Sequence, residues 1–465
     1  MINIAAYSQI SLMKLKVILI FLVMCMFNTA QAQFLAPYYP ALQSNRGKGN
    51  GKLSYRIYQS STASVFPATS AEFDSYLTTY NTYKAGATVK LAAKTGTTNS
   101  SGNYAVNLIN FSSSSDLYTA IGTTTPYSGY TGDGFTLVVS GYFIPKQSGI
   151  YKFSIEGDDA VDLYINNTNV VNHYGPHGPY AVGTHTGTIA LVAGKKYTFR
   201  ARFMEGGGGE QLQVFWQKPS ETSGSGWYQD VEELSSDVAV PSGLVLTLDA
   251  GNFTSYPQTG TTWFDLTGNK DGTIAGNTAY SSSDNGYFYF DGDQDYVDFG
   301  TNPPNFPSGD ITVFVWLKAT ALRAGWNIFF SKWFANTGGS GTSNDMHYCI
   351  KWNGVNYYQN LYTSGNYDMY GSTALTTNTW YYVGFTLVNG GNLQMYVNGQ
   401  TDGAVRTGVS RTNYTSSSLL WLGDARSGGS LDLAGNIAAL QIYNRAITAD
   451  EVLQNFNNQK QRYGY

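Results

Sequence analysis

From about residue 50 almost to the last residue, apolar side chains recur at every second position in short runs, and Gly, Pro and Asn break the runs. Successive side chains of a strand point to opposite faces, so this spacing suits pleated segments with one face buried. Phe135–Phe143 and residues 151–155 and 197–203 read as strands in the first half of the chain. Residues 243–248, 311–317, 380–387 and 393–397 do so in the second half, and Asn398-Gly399 is a hairpin turn signal. Residues 311–317 are apolar or aromatic on both faces, which fits a strand inside a two-sheet stack. Helical spacing is scarce and well marked at one place. Thr448 with Glu451 forms a capping box, and Ile447 with Val452 a hydrophobic staple. This predicts a helix from Ala449 to about Lys460, docked through Val452, Leu453 and Phe456. The expected fold class is therefore all-β: two β-sandwich or jelly-roll domains in tandem with a short C-terminal helix.

The chain of 465 residues has room for two such domains. Residues 219–240 shift to Ser, Gly, Glu and Asp with few apolar anchors and are read as a linker, leaving sandwiches over 50–218 and 241–465. Residues 33–49 form a loose segment. Residues 1–32 read as a signal peptide: Lys14 and Lys16 precede the apolar run 17–27, and Ala30-Gln31-Ala32 is a cleavage pattern. Eleven apolar residues are too few to span a bilayer. The rival reading, a lipoprotein signal acylated at Cys25, puts Met24 where a small residue is wanted. The expected location is secreted, extracellular or at the cell surface. Once Cys25 leaves, Cys349 stands alone and no intrachain disulfide is possible.

Composition narrows the function. The formal net charge is −4 and there is no Lys/Arg run, so nucleic acid is not an expected partner. Beyond residues 1–32, no stretch reaches transmembrane length. Glycosidases on two-sheet folds need paired carboxylates facing each other across a cleft. No Glu-x-Asp-x-x-Glu triplet is present, and Glu232-Glu233 falls in the linker. Serine-nucleophile, zinc-helix and phosphate-loop motifs are also missing. The sequence offers no candidate catalytic residue.

The segment 140–166 runs Gly-Tyr-Phe, Ser-Gly-Ile-Tyr-Lys-Phe, Gly-Asp-Asp-Ala and Leu-Tyr-Ile in that order. It resembles the β-sandwich domain named after anthrax protective antigen, shared by flocculins, GLEYA adhesins and many bacterial surface proteins. The resemblance covers roughly residues 50–218. It implies that Asp158 and Asp159, joined by a cis peptide, bind calcium that in turn holds sugar hydroxyls. Calcium takes six to eight hard oxygens, which neighbouring carboxylates help to supply. Where the lectins carry an Asn, this chain has Met204-Glu205 followed by four glycines, so Glu205 is the candidate replacement ligand. The alternative is a metal-free turn with its carboxylates bonded to main-chain N–H groups. Asp162 is expected to be exposed. The ring-rich loop 172–180 offers His173, Tyr174, His177 and Tyr180 as sugar-stacking residues. With His185, the histidines match no defined zinc spacing.

Residues 243–252, 260–269, 288–298 and 435–455 resemble the laminin-G-like, concanavalin-type jelly roll, a relative of the pentraxins. That resemblance implies a calcium site near Asn344, Asp345 and Asp424. Asp291, Asp293, Asp295 and Asp298 are read instead as backbone caps, and Trp263 with Asp265 as internal packing. Trp326, Trp333, Tyr357 and Tyr358 are candidate ligand-stacking residues, with core burial an equal reading for each. The expected function is a secreted lectin or adhesin that binds polysaccharide or glycoprotein glycans, with calcium as its cofactor. The alternatives are a glycoside hydrolase or its accessory subunit, and a structural or protein-binding surface component.

Overall fold

The computed structural model describes residues 53–59, 66–79, 81–89, 109–111, 113, 115–116, 133–221, 226–235, 240, 242–301, 307–323, 326–333, 346–352, 356–363, 367–411, 419–424 and 432–465. Residues 1–32, expected to be a signal peptide, and residues 33–49, Asn344 and Asp345 lie outside these residues.

Among the described residues, the first sandwich uses eleven strands: β1 (Leu53–Gln59), β2 (Asn81–Val89), β3 (Asn110–Phe111), β4 (Phe135–Phe143), β5 (Gly149–Asp158), β6 (Ala160–Ile165), β7 (Thr168–His173), β8 (Thr186–Leu191), β9 (Tyr197–Glu205), β10 (Gln211–Gln217) and β11 (Leu234–Ser235). One sheet runs β2-β1-β4-β9-β6-β7 with β11 also on β4; the other runs β3-β10-β5-β8. Between the sheets, Phe143 meets Phe153, Tyr151 and Trp216 edge-on, with ring centroids 5.2–5.5 Å apart. Two corners carry the chain from sheet to sheet. Asp158 ends β5 and Ala160 opens β6; Glu205 ends β9 and Gln211 opens β10.

The segment read as a linker is partly built into this sandwich. Tyr228 bridges Trp216, and β11 pairs with the end of β4. Buried Glu233 accepts from the Trp216 indole N–H (2.7 Å), the Tyr151 hydroxyl (2.8 Å) and the Lys146 main-chain N–H (2.9 Å). Three donors offset the cost of burying that carboxylate.

The second sandwich stacks a nine-stranded sheet, centred on Ile311–Ala319 and Ala434–Tyr443, on an eight-stranded sheet centred on Trp326–Trp333 and Leu419–Leu422. Val313, Val315 and Leu317 point into the core between them. On the opposite face of the same strand, Phe314 and Trp316 are equally buried, under helix α1 (Ala449–Gln459) and the turn after it. Tyr463 stacks on Trp316 at 3.9 Å, and the Trp316 indole N–H donates to Gln459. This explains a strand that is apolar on both faces. The helix starts where the capping box predicts: Thr448 Oγ1 accepts from the Glu451 N–H, and Glu451 Oε2 accepts from the Thr448 N–H. Thr448→Ala is expected to cost about 1 kcal/mol in denaturant unfolding.

The two sandwiches share a buried interface. Residues 249–264 of the second lie on the outer face of the seven-stranded sheet and, with the helix Ser70–Thr79, help bury the β4 residues that point away from the first core. Asn252 joins Ser54 and Ser140, and the Ser140 hydroxyl also takes the Thr254 N–H. Arg56 donates to the Thr254 carbonyl and lies over the Phe264 ring at 3.8 Å. Arg200 sits between Tyr164 (4.1 Å) and Phe253 (3.9 Å). Asp249 accepts both arms of the Arg462 guanidinium (2.7 and 2.8 Å) and the Tyr142 hydroxyl (2.9 Å). Gly251 has to be glycine here, because a Cβ would stand 1.8 Å from the Asn285 carbonyl oxygen.

Candidate functional site

The two corners of the first sandwich bring its acids together. Asp158 and Asp159 are joined by a cis peptide, as the resemblance implies. Asp159 is buried, with Oδ1 accepting the His177 N–H (2.9 Å) and Oδ2 the Gly206 N–H (3.1 Å). Asp158 is half-buried, and no hydrogen bond to its carboxylate occurs among the described residues. Burial, then the charge of Asp159, raises the Asp158 carboxyl above its ordinary range; Glu210 adds to this and His177 opposes it.

Glu205 is wholly buried at the second corner. Its Oε1 accepts the Gly207 N–H (2.6 Å), while Oε2 has no hydrogen-bond partner. Burial first, and then the charge of Asp159, push this carboxyl up to about 8 against the pull of the Gly207 N–H; Asp158 and Glu210 add smaller pushes. The site thus holds an incompletely satisfied carboxylate in a negative neighbourhood. A hard cation fits that chemistry, since the donors are all oxygens and one buried oxygen is unused. Among the described residues no group of three or more His, Cys, Asp or Glu is placed to hold a metal ion. A cation at this corner would therefore draw part of its shell from main-chain, water or ligand oxygens.

Beside the acids lies a feature that residue spacing did not reveal. Three of the four histidines of the chain stack face to face: His177 on His173 with centroids 3.6 Å apart, and His173 on His185 at 4.0 Å. The rings are nearly parallel, within 21° and 19°. Parallel planes this close do not aim three lone pairs at one tetrahedral ion. Burial, then His177 and His185, push the middle imidazole, His173, down to about 4. The sequence signal was available in retrospect: three of four histidines within thirteen residues.

Tyr180 is 43% exposed and presents itself edge-on to all three imidazoles. Tyr174 is placed differently: its hydroxyl donates to Asp162 (3.0 Å) and its ring meets Phe73 edge-on. Asp162, expected to be exposed, is fully buried because Arg202 holds both its oxygens, at 2.8 and 2.5 Å. The alternation put Asp162 on an outer face, but Ser70–Thr79 and Arg202 cover that face.

The second sandwich gathers less. Asp424 is buried, with its carbonyl accepting the Ser331 hydroxyl. Trp326 is half-buried over Ile328 and Cys349, with the Lys351 ammonium 4.0 Å from its ring. The Trp333 side chain lies outside the described residues. Asp295 accepts the N–H groups of Asn277 and Asp291, Asp291 that of Asp293, and Asp298 that of Gly300. Asp265 is buried and accepts four main-chain N–H groups, from Thr247, Thr267, Asn269 and Lys270. These acids hold loops together.

Comparison with known proteins agrees with this architecture. Residues 87–225 match the PA14 domain family, and residues 291–453 match the concanavalin A-like lectin/glucanases superfamily. Among solved structures, the chain is similar to domain 4 of the extracellular arabinanase AbnA from Geobacillus stearothermophilus, in complex with arabinotriose. Identity there is 20%, over 46% of this chain and 97% of that one, with a TM-score of 0.34. It is also similar to the PA14 domain of the antifreeze protein MpAFP, at 16% identity over 40% of this chain and 88% of that one, TM-score 0.28. A Trypanosoma rangeli sialidase matches at 11% identity and TM-score 0.39, over 71% of this chain; this chain spans 52% of the sialidase. No curated protein sequence matches significantly. With TM-scores this low, these likenesses carry no functional weight.

Proposed function

We propose that this is a carbohydrate-binding protein of the secreted or cell-surface kind, whose first sandwich takes glycan at the corner formed by Asp158, Asp159 and Glu205. One observation carries the reading: a buried Glu205 oxygen with no hydrogen-bond partner, beside Asp159 and the half-buried Asp158. Calcium bound there would neutralise the acids and coordinate sugar hydroxyls. Asp158 would be the ligand open to solvent, Asp159 is oriented by its two N–H donors, and Glu205 supplies charge from behind. Tyr180 offers an exposed ring next to the corner, suited to the apolar face of a pyranose. A raised carboxyl such as Glu205 is also what a general acid requires. Glu205 is buried and cannot reach a glycosidic oxygen, so binding remains the better reading.

The test is glycan-array retention of the full chain, with calcium and with chelator. Chelation and Asp158→Ala are each expected to reduce retention at least tenfold, in the range expected for lost metal-site groups. Retention unchanged by both would defeat the calcium part. Absence of glycan binding under every condition would defeat the function.

A further inference from the structure

We propose that the three stacked imidazoles are positioning residues for the acidic corner, clamping residues 174–185 so that the His177 N–H stays on Asp159. The inference rests on the calcium reading above. His173 ends β7, His185 precedes β8, and His177 lies in the loop between them. Stacking therefore fastens the loop to both of its ends. At one end of the stack, His185 Nδ1 lies 2.7 Å from Glu156 Oε2. Glu156 is itself buried and also accepts the Ser154 hydroxyl and the His185 N–H. It sits on β5, the strand that runs into Asp158. At the other end, His177 donates its main-chain N–H to Asp159. The stack thus joins β5 to the corner residue Asp159.

Asp159 has two orienting donors, and they are unequal. Gly206 opens a run of four glycines, in which Gly207 and Gly208 take φ of +157° and +118°. Such a run has little stiffness of its own. His177 is held by ring contacts at 3.6 Å and, through them, by Glu156. The imidazole stack therefore fixes the Asp159 carboxylate before a cation arrives. Groups that orient a metal ligand without touching the metal are worth 10- to 100-fold in affinity.

The experiment is calcium titration calorimetry on the full chain, comparing wild type with His173→Ala and His173→Phe. His173→Ala is expected to weaken calcium binding by about 10- to 100-fold. His173→Phe keeps a flat ring in the middle of the stack and is expected to restore most of the affinity. Hydrogen exchange at the His177 amide should accelerate in the Ala variant and not in the Phe variant. Wild-type affinity in His173→Ala overturns the inference, as does a Phe variant as weak as the Ala variant. If His173→Ala does not fold, His185→Ala removes an outer ring and is read against the same two outcomes. Absence of calcium binding by wild type overturns the calcium reading together with this inference; binding that is indifferent to the stack overturns this inference alone.

Discussion

Arg462→Ala is expected to destabilise the protein by about 3–5 kcal/mol, the cost of leaving a buried charge without its partner. The partner is Asp249, which accepts two bonds from the guanidinium, one from the Tyr142 hydroxyl and one from the Gly251 N–H. Removing the arginine leaves a carboxylate that is 4% exposed without a counter-charge, held only by the Tyr142 hydroxyl and the Gly251 N–H. Tyr142 is on β4 of the first sandwich, and Asp249 and Arg462 belong to the second, so the loss falls on the contact between them. Denaturant unfolding of wild type should show the sandwiches melting together, whereas the variant should show two separated transitions. The paired replacement Asp249→Leu with Arg462→Met should be milder than Arg462→Ala alone, because it leaves no orphaned charge. A single variant costing less than about 1 kcal/mol would mean the pair behaves as an exposed one.

Glu205 gives the second large effect, and its sign can be worked out. Burial and the charge of Asp159 push its carboxyl up to about 8 in the folded chain, against the ordinary 4.5 when unfolded. Below pH 4.5 both states hold the proton and the group has no effect on stability. Between 4.5 and about 8 the unfolded chain ionises first, so stability falls as pH rises; above 8 the loss is complete. At about 1.4 kcal/mol for each tenfold difference in proton affinity, the full loss is on the order of 5 kcal/mol. Glu205→Gln should remove this slope and raise the thermal midpoint at pH 8.5 in chelator. A cation at the corner would take over the role of the proton, so calcium should stabilise wild type most at high pH. A melting curve series without slope across this window would contradict the assignment.

How much of this could be read from residues alone follows from the range of the forces involved. Strand periodicity, the Asp158-Asp159 corner and the capping box of Thr448 are local patterns, and the fold follows them. Asp265 accepts all four of its N–H groups from nearby positions or an adjoining strand, so its packing role was equally readable. Sequence spacing misleads where distant segments meet. Asp162 looks solvent-facing until Arg202, forty positions on, covers it. Arg56 reaches the Thr254 carbonyl across 198 residues, and no spacing rule links the two. Glu233 looked like a linker acid because its donors, Tyr151 and Trp216, lie on other strands. The histidines needed coordinates as well, since their stacking depends on how β7 and β8 approach each other.

A flexible tether between two modules lets each search independently, and the second capture is then governed by the volume the tether sweeps. Arg56 and Arg200, each set against a ring of the loop that follows Asp249, remove that freedom. Two ligand sites, one on each sandwich, would therefore stand at a set distance, and a long ligand would gain from the pairing only when its own repeat matched that distance.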